Sequence, residues 1–488
     1  MISPPAKHSL DVDKILEKAT AAAAALRRLN QEETDKIVKN VSAAAFRSRV
    51  KLARLAVEET GLGKWQDKVI KNILASKVVY EDIKNIPTAG VVAVEKDAGI
   101  IEIAEPVGPI VALTPITNPT STVIFKILVA LKARNPIIIR PHGGARRCSI
   151  EAARVCYEAA IQAGAPENCV QWVKFSTREE VAALMAHPGT ALIMATGSVD
   201  VVRGAMSSGK PVIGVGPGNV PVFVDSTADL AATAKAIVAS KTFDFGTVCA
   251  SEQAAIVLDP VIEPFCQELA RQGAYFLTKE EIRKIEPIAF NSKEGVMKVE
   301  VIGQPATKIA SMAGFEVPET TAILVAPLEE VGPEAPLSLE ILAPILALYI
   351  ARDENHAFDL AKKILQHGGL GHTASIFSRN PAQIARFAQE MPVGRVLINT
   401  PASLGALGGI YNLLRPSLVL SCGQLTGNSS MDNISVQHLF NRKKVAEPRM
   451  TAWMKEEWQS LYLDETIPWE KFDLLGQGLL LRKESSAK

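Results

Sequence analysis

Cys249 stands in Phe243-Asp-Phe-Gly-Thr-Val-Cys-Ala-Ser-Glu252, after a glycine-containing turn and just ahead of the apolar run Ala254–Leu258. A thiol on a loop beside a strand is open to a substrate, whereas one inside a helix stripe is not. To act as a nucleophile it needs thiolate character, supplied by nearby N–H donors or cations. The competing reading is a small buried hydrophobe, which is what most lone cysteines are. Cys156 and Cys266 fall in helical patterns and read as packing residues, while Cys148, Cys169 and Cys422 carry no signal either way. Asn118, in Thr114-Pro-Ile-Thr-Asn-Pro-Thr120, lies between a strand and a helix, so its amide could donate to an oxyanion or cap that helix. Gly214-Val-Gly-Pro-Gly-Asn-Val-Pro221 has glycines for a sharp turn or close approach to a ligand, without Gly-x-Gly-x-x-Gly spacing. Gly204-Ala-Met-Ser-Ser-Gly-Lys-Pro211 imitates a phosphate loop, but Pro211 replaces the magnesium-holding Ser or Thr and the strand follows the motif. The seven histidines show no metal-ligand spacing, and no metal site is expected.

The elements that must position these residues show in the apolar pattern. From residue 10 to about 85, apolar residues recur at spacings near three and four, as in Val12, Ile15, Leu16, Ala19 and again in Ile70, Ile73, Leu74, which predicts helices. From about residue 90 the texture changes to short apolar runs, among them Ile110–Leu113, Ile137–Ile139, Ala191–Met194, Val212–Val215 and Val222–Val224. Helical stretches such as Ser121–Ala133 and Ile150–Ala163 separate several of them, and the alternation resumes after residue 250. Short apolar strands alternating with helices indicate parallel sheets, here two α/β units joined near residues 241–250. The tail after residue 440, with Trp453, Trp458 and Trp469, reads either as a docking arm or as a surface helix.

At 488 residues, 48% hydrophobic and 22% charged, the chain can bury a large core. Lysine plus arginine number 53 against 52 acidic residues, so charge gives no reason to seek nucleic acid or an anionic membrane. No secretory leader or spanning segment is expected, and six scattered cysteines without Cys-x-x-Cys fit free thiols in a reducing compartment. The default is a cytoplasmic protein.

Together the segments are more specific than any one of them. Ile103-Ala-Glu-Pro-Val-Gly108, Pro115-Ile-Thr-Asn-Pro-Thr-Ser-Thr122, Ser207-Ser-Gly-Lys-Pro211, Cys249-Ala-Ser-Glu-Gln253, Gly368-Gly-Leu-Gly-His-Thr373 and Ile398-Asn-Thr-Pro401 occur in one order. With Asp67-Lys-Val-Ile-Lys-Asn72 and Gly427-Asn-Ser429, they make residues 30 to 450 resemble the CoA-acylating aldehyde dehydrogenases, in particular the acetaldehyde dehydrogenase half of bifunctional aldehyde–alcohol dehydrogenases. The chain ends near where the iron-dependent alcohol dehydrogenase half would begin, so that half is expected to be absent.

The resemblance implies an α/β, aldehyde dehydrogenase-like fold. A Rossmann-like cofactor domain would span 1–241, with an oligomerisation hairpin near 90–106. A catalytic domain would span 242–430, and a return to the first domain with a C-terminal arm 431–488. It implies Cys249 as the nucleophile and Asn118 as an oxyanion donor, such donors contributing roughly 3–4 kcal/mol each. It implies a dinucleotide held by Thr114 and Pro115, by Arg140, Pro141 and His142 at the adenosine ribose, by Thr196, Gly197, Ser198 and Gly216, and by Glu340 at the nicotinamide ribose. Hydrolytic relatives carry a glutamate general base where this chain has Val215, which favours transfer to CoA over release of a free acid. Arg140 replaces a serine of close relatives and could pair with a 2′-phosphate, which leaves NAD only slightly ahead of NADP. Arg415 and His372 are candidates for the aldehyde pocket. Arg415 could meet an anionic tail, keeping sulfoacetaldehyde and succinate semialdehyde beside acetaldehyde. A homodimer or homotetramer is implied, and helix 10–30 could serve as an address for a bacterial microcompartment.

Overall fold

The computed structural model describes residues 10–291, 296–447, 463–466 and 468. Helices Val12–Leu26, Gln31–Arg47, Arg49–Thr60 and Trp65–Ile73 open the chain. Asn30 and Glu33 form a capping box that starts the second, and Gly61 ends the third at φ 69, a left-handed conformation that glycine adopts without strain. The first helix turns Leu16 and Ala19 inward against Val111, Leu113 and Ile138. In the fourth helix the face is the reverse of the expected one. Ile70 is 39% exposed, while Lys68, Lys71 and Asn72 are buried. Their buried partners lie far along the chain and are described below.

Five parallel strands form the first sheet, in the spatial order Val170–Trp172, Ile137–Arg140, Ile110–Leu113, Leu192–Thr196, Val212–Val215. Ile110–Leu113 is buried throughout, as a strand covered by helices on both faces must be. Chain order reverses beside it, because its two neighbours are the next strand in one direction and a much later one in the other. Parallel sheets bind ligands at such a reversal, outside the C-terminal ends of the strands.

The chain leaves this sheet after Val215 and enters a seven-stranded parallel sheet at Val220, ahead of the expected junction at 241–250. Val220–Val224 lies between Glu252–Leu258 and Gly371–Phe377, and the helix Leu230–Thr242 packs on this second sheet through Ala234 and Ile237. A strand so close to its predecessor in sequence gives no local sign that it has changed sheets. A third, antiparallel sheet joins Gly90–Glu95 and Ile100–Pro106 to Phe440–Ala446 near the end of the described chain. Trp453, Trp458 and Trp469 lie outside the described residues. Among the described residues, no helix is long and apolar enough to cross a membrane.

Candidate active site

The C-terminal ends of four neighbouring strands in the first sheet gather the expected nucleotide residues. Thr114 and Pro115 follow Ile110–Leu113, Arg140 ends its strand with Pro141 and His142 beyond it, Thr196 ends another ahead of Gly197 and Ser198, and Gly216 follows Val215. Backbone hydrogen bonds tie these ends together, from Thr114 N–H to the Arg140 carbonyl (3.1 Å) and from Gly197 N–H to that of Val215 (3.4 Å). The buried hydroxyls of Thr114 and Thr196 have no partner, and a bound dinucleotide is the kind of group that satisfies such atoms. Ser198 begins the helix Val199–Met206 without capping it, leaving that N-terminus open toward the same edge. Lys210 of the pseudo-phosphate loop instead reaches the Pro188 carbonyl (3.4 Å).

Residues 216–219, the crossing between sheets, bring this edge to the thiol. Cys249 is half-buried in the turn before Glu252–Leu258. A side chain on Gly218 would lie 2.1 Å from the Cys249 carbonyl oxygen, so the crossing can pack there only as glycine. Gly218 N–H donates to Glu340 Oε1 (2.7 Å). Burial raises the Glu340 carboxyl to about 8, against that N–H and Lys241. The Cys249 thiol is pushed up to about 12, first by burial, then by Glu340 and Cys422, with Arg395 and Lys71 opposing. Removing the Glu340 charge therefore favours the thiolate. Glu340→Gln is expected to speed iodoacetamide alkylation of Cys249 several-fold at pH 9, where Glu340 is ionised, with little change at pH 6. Equal rates at both pH values would separate Glu340 from the thiol.

Asn118 immediately precedes the helix Pro119–Lys132, but its side chain makes no capping bond. Its Oδ1 accepts from Lys71 Nζ (2.6 Å), and its Nδ2 donates to Thr117 Oγ1 (3.1 Å) and to the Thr247 carbonyl (3.3 Å), two residues before Cys249. The capping bond is thus not made, and the amide reaches the turn that carries the thiol. Lys71 and Lys68 both pair with the buried carboxylate of Asp244, which also accepts from Thr247 Oγ1 (2.6 Å) and Lys64 N–H (2.7 Å). Asp244 and Phe245 hold left-handed φ values of 49° and 50°, unfavourable for residues with side chains. Gly63 leaves room for the carboxylate, since a Cβ there would sit 1.9 Å from Asp244 Oδ1.

His372 is fully buried near the same turn. Its Nδ1 meets Thr373 Oγ1 (3.0 Å), its Nε2 has no partner, and burial with the Arg395 charge lowers it to about 3, so its imidazole is neutral. Arg395 is a site residue not marked in the sequence. It is buried, donates to the Ser421 (2.6 Å) and Met431 (2.9 Å) carbonyls, and keeps one guanidinium nitrogen unpartnered. The alternation of Val393–Ile398 gives no hint of an inward arginine. Arg415 is not brought to this group. It pairs with Asp82 (3.1 Å) on a turn whose Leu413 is fully exposed. Lys68 and Lys71 also escaped the reading of the sequence, although their three-residue spacing places them on one helical face.

The C-terminal strand ends of the first sheet, the half-buried thiol and an amide directed at the same turn thus lie around the crossing at 216–219. The chain belongs to the aldehyde dehydrogenase family, whose description matches residues 1–410. It is 42% identical over 441 residues to the bifunctional aldehyde-alcohol dehydrogenase AdhE of Escherichia coli (strain K12), covering 90% of this chain and 49% of that protein. This chain thus spans about half the length of that relative. It is 34% identical over 442 residues to a sulfoacetaldehyde dehydrogenase (acylating) of Bilophila wadsworthia, covering 90% of this chain and 95% of that one. The solved structure of an acetylating aldehyde dehydrogenase from Geobacillus thermoglucosidasius matches with a TM-score of 0.87 at 44% identity, over 90% of this chain and 96% of that one. The aldehyde dehydrogenase-like α/β fold implied by the sequence resemblance is the fold found.

Proposed function

We propose that the chain is a CoA-acylating aldehyde dehydrogenase that converts a small aldehyde, with NAD(P)+ and CoA, to an acyl-CoA through a thioester on Cys249, reversibly. The observation that carries this reading is the buried valine at the end of Val212–Val215, where hydrolytic relatives have their general base. A hydrocarbon side chain cannot take a proton from water, so a thioester on Cys249 outlasts hydrolysis until the CoA thiol arrives. The Cys249 sulfur attacks the aldehyde carbonyl, with Arg395 the leading cation that favours its thiolate. Asn118 Nδ2 stabilises the alkoxide that develops on the aldehyde oxygen. When bound, the nicotinamide supplies the hydride acceptor. Thr114, Thr196, Gly197 and Glu340 would hold the nucleotide over the thiol. CoA sulfur then takes the acyl group and Cys249 leaves as the thiolate. NAD(P)H formation that requires CoA and yields acyl-CoA supports the proposal, whereas equal turnover without CoA, giving free acid, supports the hydrolytic alternative.

Acetaldehyde is favoured over sulfoacetaldehyde or succinate semialdehyde because the cation offered for an anionic tail, Arg415, is engaged by Asp82. For the cofactor, half-buried Arg140 has no carboxylate in ion-pair contact among the described residues and lies in the field of Arg146, which stacks over Phe175 (4.6 Å). Two unneutralised guanidinium groups at the adenosine end favour a 2′-phosphate and draw the balance toward NADP. Arg140→Ser is expected to weaken NADPH binding about tenfold or more while changing NADH binding little, as fluorescence titration would show. Equal losses for both nucleotides would remove the 2′-phosphate role. Self-association is supported by the edge strand Gly90–Glu95, which exposes Val91 and Val94 beside an unpaired backbone edge. We place the protein in the cytoplasm.

A further inference from the structure

We infer that Lys71 is a positioning residue for thioester formation, its ammonium fixing the Asn118 amide so that the NH2 group faces the thiol loop. The inference rests on the proposed reaction. An asparagine amide has two faces of similar shape, one accepting and one donating, and only the donating face stabilises an alkoxide. Lys71 Nζ lies 2.6 Å from Asn118 Oδ1. Turning the amide over would set its NH2 group against an ammonium and lose a charge-assisted hydrogen bond. In the orientation found, the two Nδ2 contacts are long, at 3.1 and 3.3 Å, and one can be exchanged for a developing alkoxide.

A buried ammonium is costly unless it is paired and hydrogen-bonded. Here the surroundings hold it in one place. Asp244 and Thr247 Oγ1 (3.0 Å) accept from Lys71, Lys68 shares the carboxylate and donates to the Thr117 carbonyl (3.0 Å), and Phe243 lies beneath Nζ at 5.6 Å. Asp67 accepts the Asp244 N–H (2.7 Å). The Lys71 ammonium bonded to Oδ1 polarises the Nδ2–H bonds of the amide toward the substrate. Buried lysines elsewhere need no such role. Lys126 donates only to the Leu113 and Met194 carbonyls of two neighbouring strands, and Lys241 to Gln253 and the Ile341 carbonyl.

The test measures the pre-steady-state burst of NAD(P)H in wild type, Lys71→Met, Asn118→Ala and the double variant, with NAD(P)H binding and thermal melting as controls for the fold. Lys71→Met is expected to slow the burst about 10- to 100-fold with cofactor affinity unchanged. The double variant should be within about twofold of Asn118→Ala, because two groups that act as a unit do not lose twice. Lys71→Gln, whose NH2 group can still donate to Asn118 Oδ1 without the charge, should fall between Lys71→Met and wild type. It also serves as the test pair if Lys71→Met does not fold. A wild-type burst in the lysine variants, or losses that multiply in the double variant, would overturn the inference. Absence of any aldehyde-dependent NAD(P)H formation by the wild-type protein would instead reject the proposed reaction itself.

Discussion

Cys249→Ala is expected to eliminate aldehyde oxidation, with a loss of about 10⁴-fold or more, while NAD(P)H still binds and the melting temperature stays within a few degrees of wild type. The first bond in the proposed reaction forms at the sulfur, and no other described cysteine is placed to substitute. Cys148, Cys156, Cys169 and Cys422 are buried, and Cys266 lies on the separate helix Ile262–Arg271. Cys422 is the nearest in electrostatic terms, since it contributes to raising the Cys249 thiol, but it is itself pushed up to about 11 by burial. Because Cys249 is only half-buried, removing its sulfur leaves no large cavity, and the change should act on chemistry far more than on packing. Retained turnover would remove the nucleophile assignment.

Asn118→Ala should reduce the acylation rate about 10²- to 10³-fold, the scale for losing one preorganised oxyanion donor. Its stability cost should be small. An asparagine that capped the following helix would take about 1 kcal/mol with it, but no capping bond exists to lose. What remains is the Lys71 ammonium with one acceptor fewer, still held by Asp244 and Thr247. The two roles therefore separate cleanly. A slow enzyme that melts normally identifies an oxyanion donor, and a normal rate with a lowered melting temperature identifies a structural residue. Measuring both on the same preparation distinguishes them.

Most strands of the two parallel sheets were legible because they are short apolar runs buried on two faces, as Ile110–Leu113 and Val220–Val224 illustrate, whereas Ala274–Phe276, half-buried throughout, was not. Cys249, Asn118 and Glu340 were legible only through ordered local matches to a known family. Their local spacing favoured a packed thiol and a helix cap. What stayed hidden depended on contacts between distant parts of the chain. Lys68 and Lys71 carry no functional signal of their own in the sequence, because only Asp244, more than 170 residues away, makes burying them tolerable. Arg415 could be offered as a pocket cation beside a surface reading because Asp82, its partner, lies 333 residues earlier. The transfer between sheets near residue 218 gave no signal either, because the two flanking strands have the same composition and differ only in which neighbours they pair with.

The central claim is that an acyl group on Cys249 waits for CoA and not for water. The most direct measurement is intact-protein mass spectrometry after mixing the wild-type protein with acetaldehyde and NAD(P)+ without CoA, followed by addition of CoA. The expected result is an acetyl adduct that maps to the Cys249 peptide, persists for many turnover times and is discharged as acetyl-CoA when CoA is added. A nucleotide reduced in many-fold excess over protein before CoA is added, with free acetate accumulating and no adduct on Cys249, would contradict it.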